Sequence, residues 1–171
     1  MQMSDTRQIS VPPSEVYAAL LDPAMLKKCV PGAQEVTGSV EDGYEATVVQ
    51  KVGPVKATFK GEVTISDLVP DTSLKIDGSG KGGAAGFAKG GAEVRLVEKD
   101  GGTELSYDVE AKVGGKLAQL GSRIIDGFAK KMADQFFQNL QDALEGPSDG
   151  EMEEVTEETP AKKGWFGRSK G

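Results

Sequence analysis

Between Tyr44 and Val113 apolar and polar residues alternate with a period of two, the spacing at which successive side chains of a strand point to opposite faces. Val55, Ala57, Phe59, Gly61, Val63 and Ile65 against Lys56, Thr58, Lys60, Glu62 and Thr64 form the clearest such run. Tyr44, Ala46 and Val48 precede it, Leu74 and Ile76 follow, and Ala92, Val94 and Leu96 lead to a last strand carrying Leu105, Tyr107, Val109, Ala111 and Val113. Turn residues punctuate the series at Glu41-Asp42-Gly43, Gly53-Pro54, Pro70-Asp71 and Asp100-Gly101-Gly102. After Gly114 and Gly115 the period lengthens. Leu117, Leu120, Ile124, Phe128, Met132, Phe136, Leu140 and Leu144 recur every three or four residues, which predicts one amphipathic helix of roughly 28 residues, about 42 Å long.

Ahead of the sheet, Thr6 to Val11 reads as a first strand that Pro12 and Pro13 end. A short helix follows, started by Ser14 as N-cap or by Pro13 in its first turn, with Val16, Tyr17, Leu20 and Leu21 turned inward. Asp22 caps a second short helix that has Pro23 at its first position and Met25, Leu26 and Cys29 as buried members. Val30, Pro31 and Gly32 turn out of it into a strand from Gln34 to Val40. The predicted architecture is α+β: a curved antiparallel sheet of about seven strands wrapped on a long C-terminal helix, with two short helices after strand one. Residues 1–146 form that domain, because Gly146 and Pro147 stop the helix.

Residues 78–91, GSGKGGAAGFAKGG, hold seven glycines. Gly78, Gly80 and Gly83 spell the G-x-G-x-x-G of a dinucleotide loop, but that loop needs a helix opening at once behind it, and a strand follows instead. A bent or bulged hairpin, in which glycine lets the sheet curl steeply, accounts for the run.

Small residues also occupy inward positions. Ala46, Ala57, Gly61, Gly78, Gly80, Ala92 and Ala111 stand where a solid core would use Leu, Ile or Phe. Either the sheet curls until it meets the helix, or an apolar space remains between them. In the second case the wall would comprise Ala46, Ala57, Phe59, Phe87 and Tyr107 from the strands, with Leu26 and Val30 at one side. Leu117, Leu120, Ile124, Phe128 and Met132 would close it from the helix. Such a space suits a lipid-like or isoprenoid ligand, since burial of apolar surface would supply the affinity. Gly121 and Gly127 interrupt the helix, and glycine there costs about 1 kcal/mol against alanine, so they serve either close packing or opening for ligand entry.

Composition removes alternatives. The 171 residues, 37% hydrophobic, carry a net charge of −7, and no stretch of the domain reads as a basic face, which excludes nucleic acid as the expected partner. With no histidine and the single Cys29, imidazole relays, His-ligated metals, thiolate clusters and an intramolecular disulfide are excluded. The acids lie singly, so no catalytic residue and no metal ligand is assigned. MQMSDTRQISV is no signal peptide and no run reaches the length of a membrane span, so a cytoplasmic protein is expected.

Three strings, VPPSEVYAALLDPAMLKKCVPGAQEV, the glycine-rich hairpin and GGKLAQLGSRIIDGFAKKMADQFFQNL, resemble the G subunit of carbon monoxide dehydrogenase, within the helix-grip superfamily of START-like and birch-pollen-allergen-like (SRPBCC) domains. The resemblance runs from about Thr6 to Leu144, with Tyr17 where the family often has Trp. It implies a β-α-α-β6-α fold with a cavity under the last helix. It implies, too, a non-catalytic accessory protein of molybdenum-containing carbon monoxide dehydrogenase that places the enzyme at the membrane and passes electrons to a respiratory quinone. A menaquinone-like molecule is the ligand implied.

Beyond the domain, residues 147–160 are acidic and read as a flexible linker, and residues 161–171 as a basic and aromatic tail. Lys162, Lys163, Arg168 and Lys170 flank Trp165 and Phe166, a set suited to weak, reversible contact with an anionic membrane or to docking on a partner protein. The expected location is therefore peripheral, on the inner face of the cell membrane.

Overall fold

In the computed structural model, which describes residues 1–146, the period-two pattern resolves into seven strands. They are β1 (Gln2–Ile9), β2 (Ala33–Ser39), β3 (Gly43–Val52), β4 (Val55–Val69), β5 (Ser73–Lys81), β6 (Phe87–Lys99) and β7 (Gly102–Gly114). All pair antiparallel in one sheet of order β1-β7-β6-β5-β4-β3-β2, so β2 to β7 form a meander of hairpins and β1 joins its far edge beside β7. The helices are α1 (Pro13–Leu21), α2 (Pro23–Cys29), α3 (Lys116–Gln119) and α4 (Ser122–Glu145). This is the expected α+β helix-grip arrangement.

Local chemistry accounts for most boundaries. Pro12 occupies the N-cap of α1 without a side-chain cap and Pro13 begins the helix, so proline rather than Ser14 sets the start. The Asp22 carboxylate accepts the Ala24 amide at 3.0 Å, the expected cap of α2. The first strand starts earlier than Thr6 because β1 pairs with β7 from Gln2↔Glu110 onward. The glycine run forms no bulge: β5 and β6 stay in continuous register from Ser73↔Arg95 to Lys81↔Phe87, and a single 3₁₀ turn at Gly83–Ala85 joins them.

The long helix is not continuous. Gly121 sits at φ +90°, a backbone conformation that L side chains rarely adopt, and it separates α3 from α4. Glycine is therefore at a boundary there rather than in a helix interior.

The core lies toward one end of the sheet. With β3 defined as running downward, the turns 40–42, 70–72 and 100–101 mark the upper end, and 53–54, 82–86 and 114–115 the lower. Ile9, Val16, Leu20, Leu74, Val94, Leu96, Leu105 and Tyr107 are buried above. Polar groups are satisfied there: Thr103 Oγ1 donates to the Val11 carbonyl at 2.7 Å, Tyr17 to the Ser73 carbonyl at 3.1 Å and Tyr44 to the Leu21 carbonyl. From α4, Phe137 stacks on Tyr107 with ring centroids 4.8 Å apart, and Asn139 donates to the Cys29 carbonyl at 2.8 Å.

Candidate functional site

Register converts the small residues into one wall. Across the inner face, Leu96 lies opposite Leu105, and Leu74, Val94 and Tyr107 form the next row down. Ile65, Ile76, Ala92 and Val109 follow. Tyr44, Val63, Gly78, Gly90 and Ala111 come next, then Ala46, Gly61, Gly80, Ala88 and Val113. On β5 and β6 side chains thus shrink toward the lower end, while Val48 and Phe59 form the next row down on β3 and β4. A methyl placed on Gly61, Gly78 or Gly80 would meet only neighbouring sheet atoms, at 3.4 to 3.9 Å, and no atom of α3 or α4 within 4 Å. The helix does not touch this part of the wall.

Helix geometry explains why. At 3.6 residues per turn, a step of four residues overshoots a full turn by about 40°, so a stripe built on such steps winds around the rod. Ile124, Phe128, Met132, Phe136 and Leu140 accordingly do not share one face: Leu140 is 1% exposed and Ile124 42%. Phe128 and Met132 are half-buried. Leu120 and Ile124 instead approach the β3–β4 turn, where a methyl on Gly53 would lie 3.6 Å from Ile124 Cγ2.

Of the proposed cavity residues, Ala46, Ala57 and Phe59 share the inner face and are half-buried. Leu117 is buried at the start of α3, and Leu120, Ile124, Phe128 and Met132 follow along α3 and α4. Leu26 and Val30 are half-buried at the end of α2, beside β2 and β3, where the Gln50 side chain donates to the Pro31 carbonyl. Two placements differ from the expectation. Phe87 pairs with Lys81 and Gly114 on the outer face, its ring lying over Gly114, because the 3₁₀ turn sets the alternation so that Ala88 points inward. Tyr107 belongs to the packed end, one ring face taken up by Phe137. Neither Gly121 nor Gly127 has anything within 4 Å of an added methyl, so close packing explains neither.

Two hollows lie away from these residues. One, about 550 Å³, is bounded by Arg7 and by Gly127, Lys130, Lys131, Asp134, Gln135 and Gln138 of α4. There Asp134 bonds Arg7 at 3.1 Å and Lys130 at 2.8 Å, and the Lys130 hydrogen bond, with Arg7 behind it, holds its carboxyl below the usual range. The other, about 1050 Å³, crosses the outer face over Gly91 between side chains of both signs, among them Lys75, Lys89, Glu93 and Asp108. Burial pushes the Cys29 thiol and the Tyr107 hydroxyl upward, which makes both poor acid–base groups near neutrality. Among the described residues no group of three or more His, Cys, Asp or Glu could hold a metal ion.

The sequence reading missed one surface. Eight cations, Lys51, Lys56, Lys60, Lys81, Lys89, Lys112, Lys116 and Arg123, all exposed, come together at the lower end, although they are spread over 73 positions of the chain. Lys51 lies opposite Lys56, Lys60 opposite Lys81, and Lys89 opposite Lys112. The domain therefore does carry a basic face. Its signal was available: segments 51–61, 80–92 and 112–125 contain no Asp or Glu.

The sequence pattern of CoxG, the G subunit of carbon monoxide dehydrogenase, matches residues 6–145. The chain belongs to that family. CoxG is by its description a subunit of that dehydrogenase, and membership points to association with it. Among solved structures, a conserved protein of Geobacillus kaustophilus is 29% identical, with a TM-score of 0.79 over 85% of this chain and 95% of that one. A Chromobacterium violaceum protein is 23% identical with a TM-score of 0.60, covering 84% and 96%, and a Thermus thermophilus protein is 12% identical at 0.65, covering 87% and 100%. The last two share the fold alone. No curated protein matches the chain in sequence. No helix among the described residues is long and apolar enough to cross a membrane. The linker and tail, residues 147–160 and 161–171, including Lys162, Lys163, Trp165, Phe166, Arg168 and Lys170, lie outside the described residues.

Proposed function

We propose that this CoxG family member is a non-catalytic carrier that takes a lipophilic molecule of the menaquinone class against its glycine–alanine wall. It links carbon monoxide dehydrogenase to the inner face of the cell membrane, with residues 161–171 as one point of contact. The supporting observation is the gap between wall and helix: methyls on Gly61, Gly78 and Gly80 would touch no helix atom. An isoprenoid chain laid there would bury apolar surface at about 25 cal/mol per Å² without displacing packed side chains. The half-buried Phe59, Phe128 and Met132 offer the rest of its contacts.

Organic extraction of the purified protein, followed by mass spectrometry, should recover a quinone or another isoprenoid lipid. A protein that stays empty after incubation with menaquinone ends the carrier reading. A second reading, recruitment of the dehydrogenase without cargo, is favoured by the position of the two hollows described above, which are bounded mainly by charged and polar side chains at the surface. In that case deletion of Ala161 to Gly171 abolishes recruitment while Ala57→Trp leaves function intact. In the carrier, Ala57→Trp alone abolishes ligand retention.

A further inference from the structure

We infer that the basic lower end of the folded domain is itself a docking face for an anionic lipid bilayer, independent of the C-terminal tail. Charge is the first reason. In a chain of net charge −7, segments 51–61, 80–92 and 112–125 carry eight cations and no carboxylate, and Glu35 of β2 is the one acid in the row of Lys60 and Lys81. None of the eight forms an ion pair among the described residues, whose ion pairs engage Arg7, Arg95, Lys99 and Lys130 instead. All eight face solvent, and the carboxylates that share a hollow with Lys89 and Lys112, Glu62, Asp77, Glu93, Asp108 and Glu110, form no ion pair with them.

Apolar exposure is the second reason. Phe87 and Ile124 are 47% and 42% exposed at this same end, each beside cations: Phe87 stands opposite Lys81, and Ile124 follows Arg123. An aromatic ring and an aliphatic side chain among lysines match the bilayer interface, where apolar groups sink to the acyl boundary and ammonium groups meet phosphates. A nucleic acid would use the charge but not the aliphatic group. The opposite end is unsuited, although Leu68, Val69 and Val97 are exposed there, because its turns carry Glu41, Asp42, Asp71 and Asp100. Docking by the lower end would bring the glycine wall against the membrane, where a lipophilic molecule resides; in purpose, though not in test, the inference rests on the carrier reading.

The test uses the full chain and vesicles of phosphatidylcholine with one-third phosphatidylglycerol, containing no quinone. The triple variant K60Q/K81Q/K89Q should bind about a hundredfold more weakly in co-sedimentation, roughly fivefold for each charge removed. Phe87→Ser should weaken binding by a smaller factor. A polarity-sensitive dye on Ala84→Cys, in the exposed 3₁₀ turn, should shift to the blue on the vesicles, while the same dye on Asp100→Cys should not; the native Cys29 is buried and should escape labelling. Unchanged binding of the triple variant, or a silent dye at Ala84→Cys, overturns the inference and leaves the tail as the only membrane contact. So does binding to the dehydrogenase or to duplex DNA that depends on the same three lysines while vesicles are ignored. With no quinone present, failure here and failure of ligand capture are separate results.

Discussion

The two ends of the sheet are made by the same strands and differ in almost every physical respect. Above, Leu105, Ile9 and Val16 are fully buried, Phe137 stacks on Tyr107, and the turns are acidic. Below, glycine and alanine share the inner face with Phe59 and Val113, no helix atom comes within 4 Å of a methyl on Gly61, Gly78 or Gly80, and cations flank the turns. The difference teaches that one meander can confine stability to one half of its length and leave the other half free for contact. Strand pairing keeps the lower end in place, since backbone hydrogen bonds continue through Lys81↔Phe87 and Phe87↔Gly114 regardless of what covers them.

The largest expected effect contrasts truncations. Leu105→Ala should cost about 3 kcal/mol in urea unfolding, whereas Phe59→Ala, half-buried beside an existing gap, should cost about 1 kcal/mol. Equal costs would mean that the lower end is packed after all. Filling runs the other way: Ala19→Trp, above, should destabilise by about 2 kcal/mol, while Ala57→Trp should change the unfolding midpoint little. Next come the two glycines. Gly121→Ala, forced to φ +90°, should lose about 1 kcal/mol, and Gly127→Ala, in the interior of α4 with open space around it, should gain about 1 kcal/mol. A gain at both would show that α3 and α4 can fuse into one rod.

The smallest effect is in acid. The Asp134 carboxyl titrates below its ordinary value of 3.8, so its stabilising contribution is complete above that pH and is lost as pH falls from there through the lowered folded value. Asp134→Asn should flatten this limb of an acid titration followed by circular dichroism. Because the group is exposed, the change should be slight, and a steeper limb would contradict the assigned sign.

Much of this was readable beforehand, for reasons that can be named. Period-two runs such as Val55 to Ile65 fixed strands and faces together, and Asp22-Pro23 marked a helix start by the one side chain able to accept an amide there. What escaped depended on numbers that a pattern does not carry. The break at Gly121 needed a dihedral angle; its neighbours Leu120 and Ile124 continue the apolar spacing without interruption. The position of Phe87 depended on how many residues the 3₁₀ turn consumed, since one residue reverses the face. The basic end was hidden by averaging, because acids elsewhere outnumber its lysines while antiparallel pairing gathers those lysines at one edge.

A wall of glycine and alanine can be altered in only one direction. Every point substitution at Gly61, Gly78 or Gly80 adds atoms, and the 3.4 to 3.8 Å to the nearest neighbour leaves each site able to accept a methyl without moving its strand. Mutation at these three positions can therefore only narrow this interior, and widening it falls to the larger residues beside them, Phe59 first.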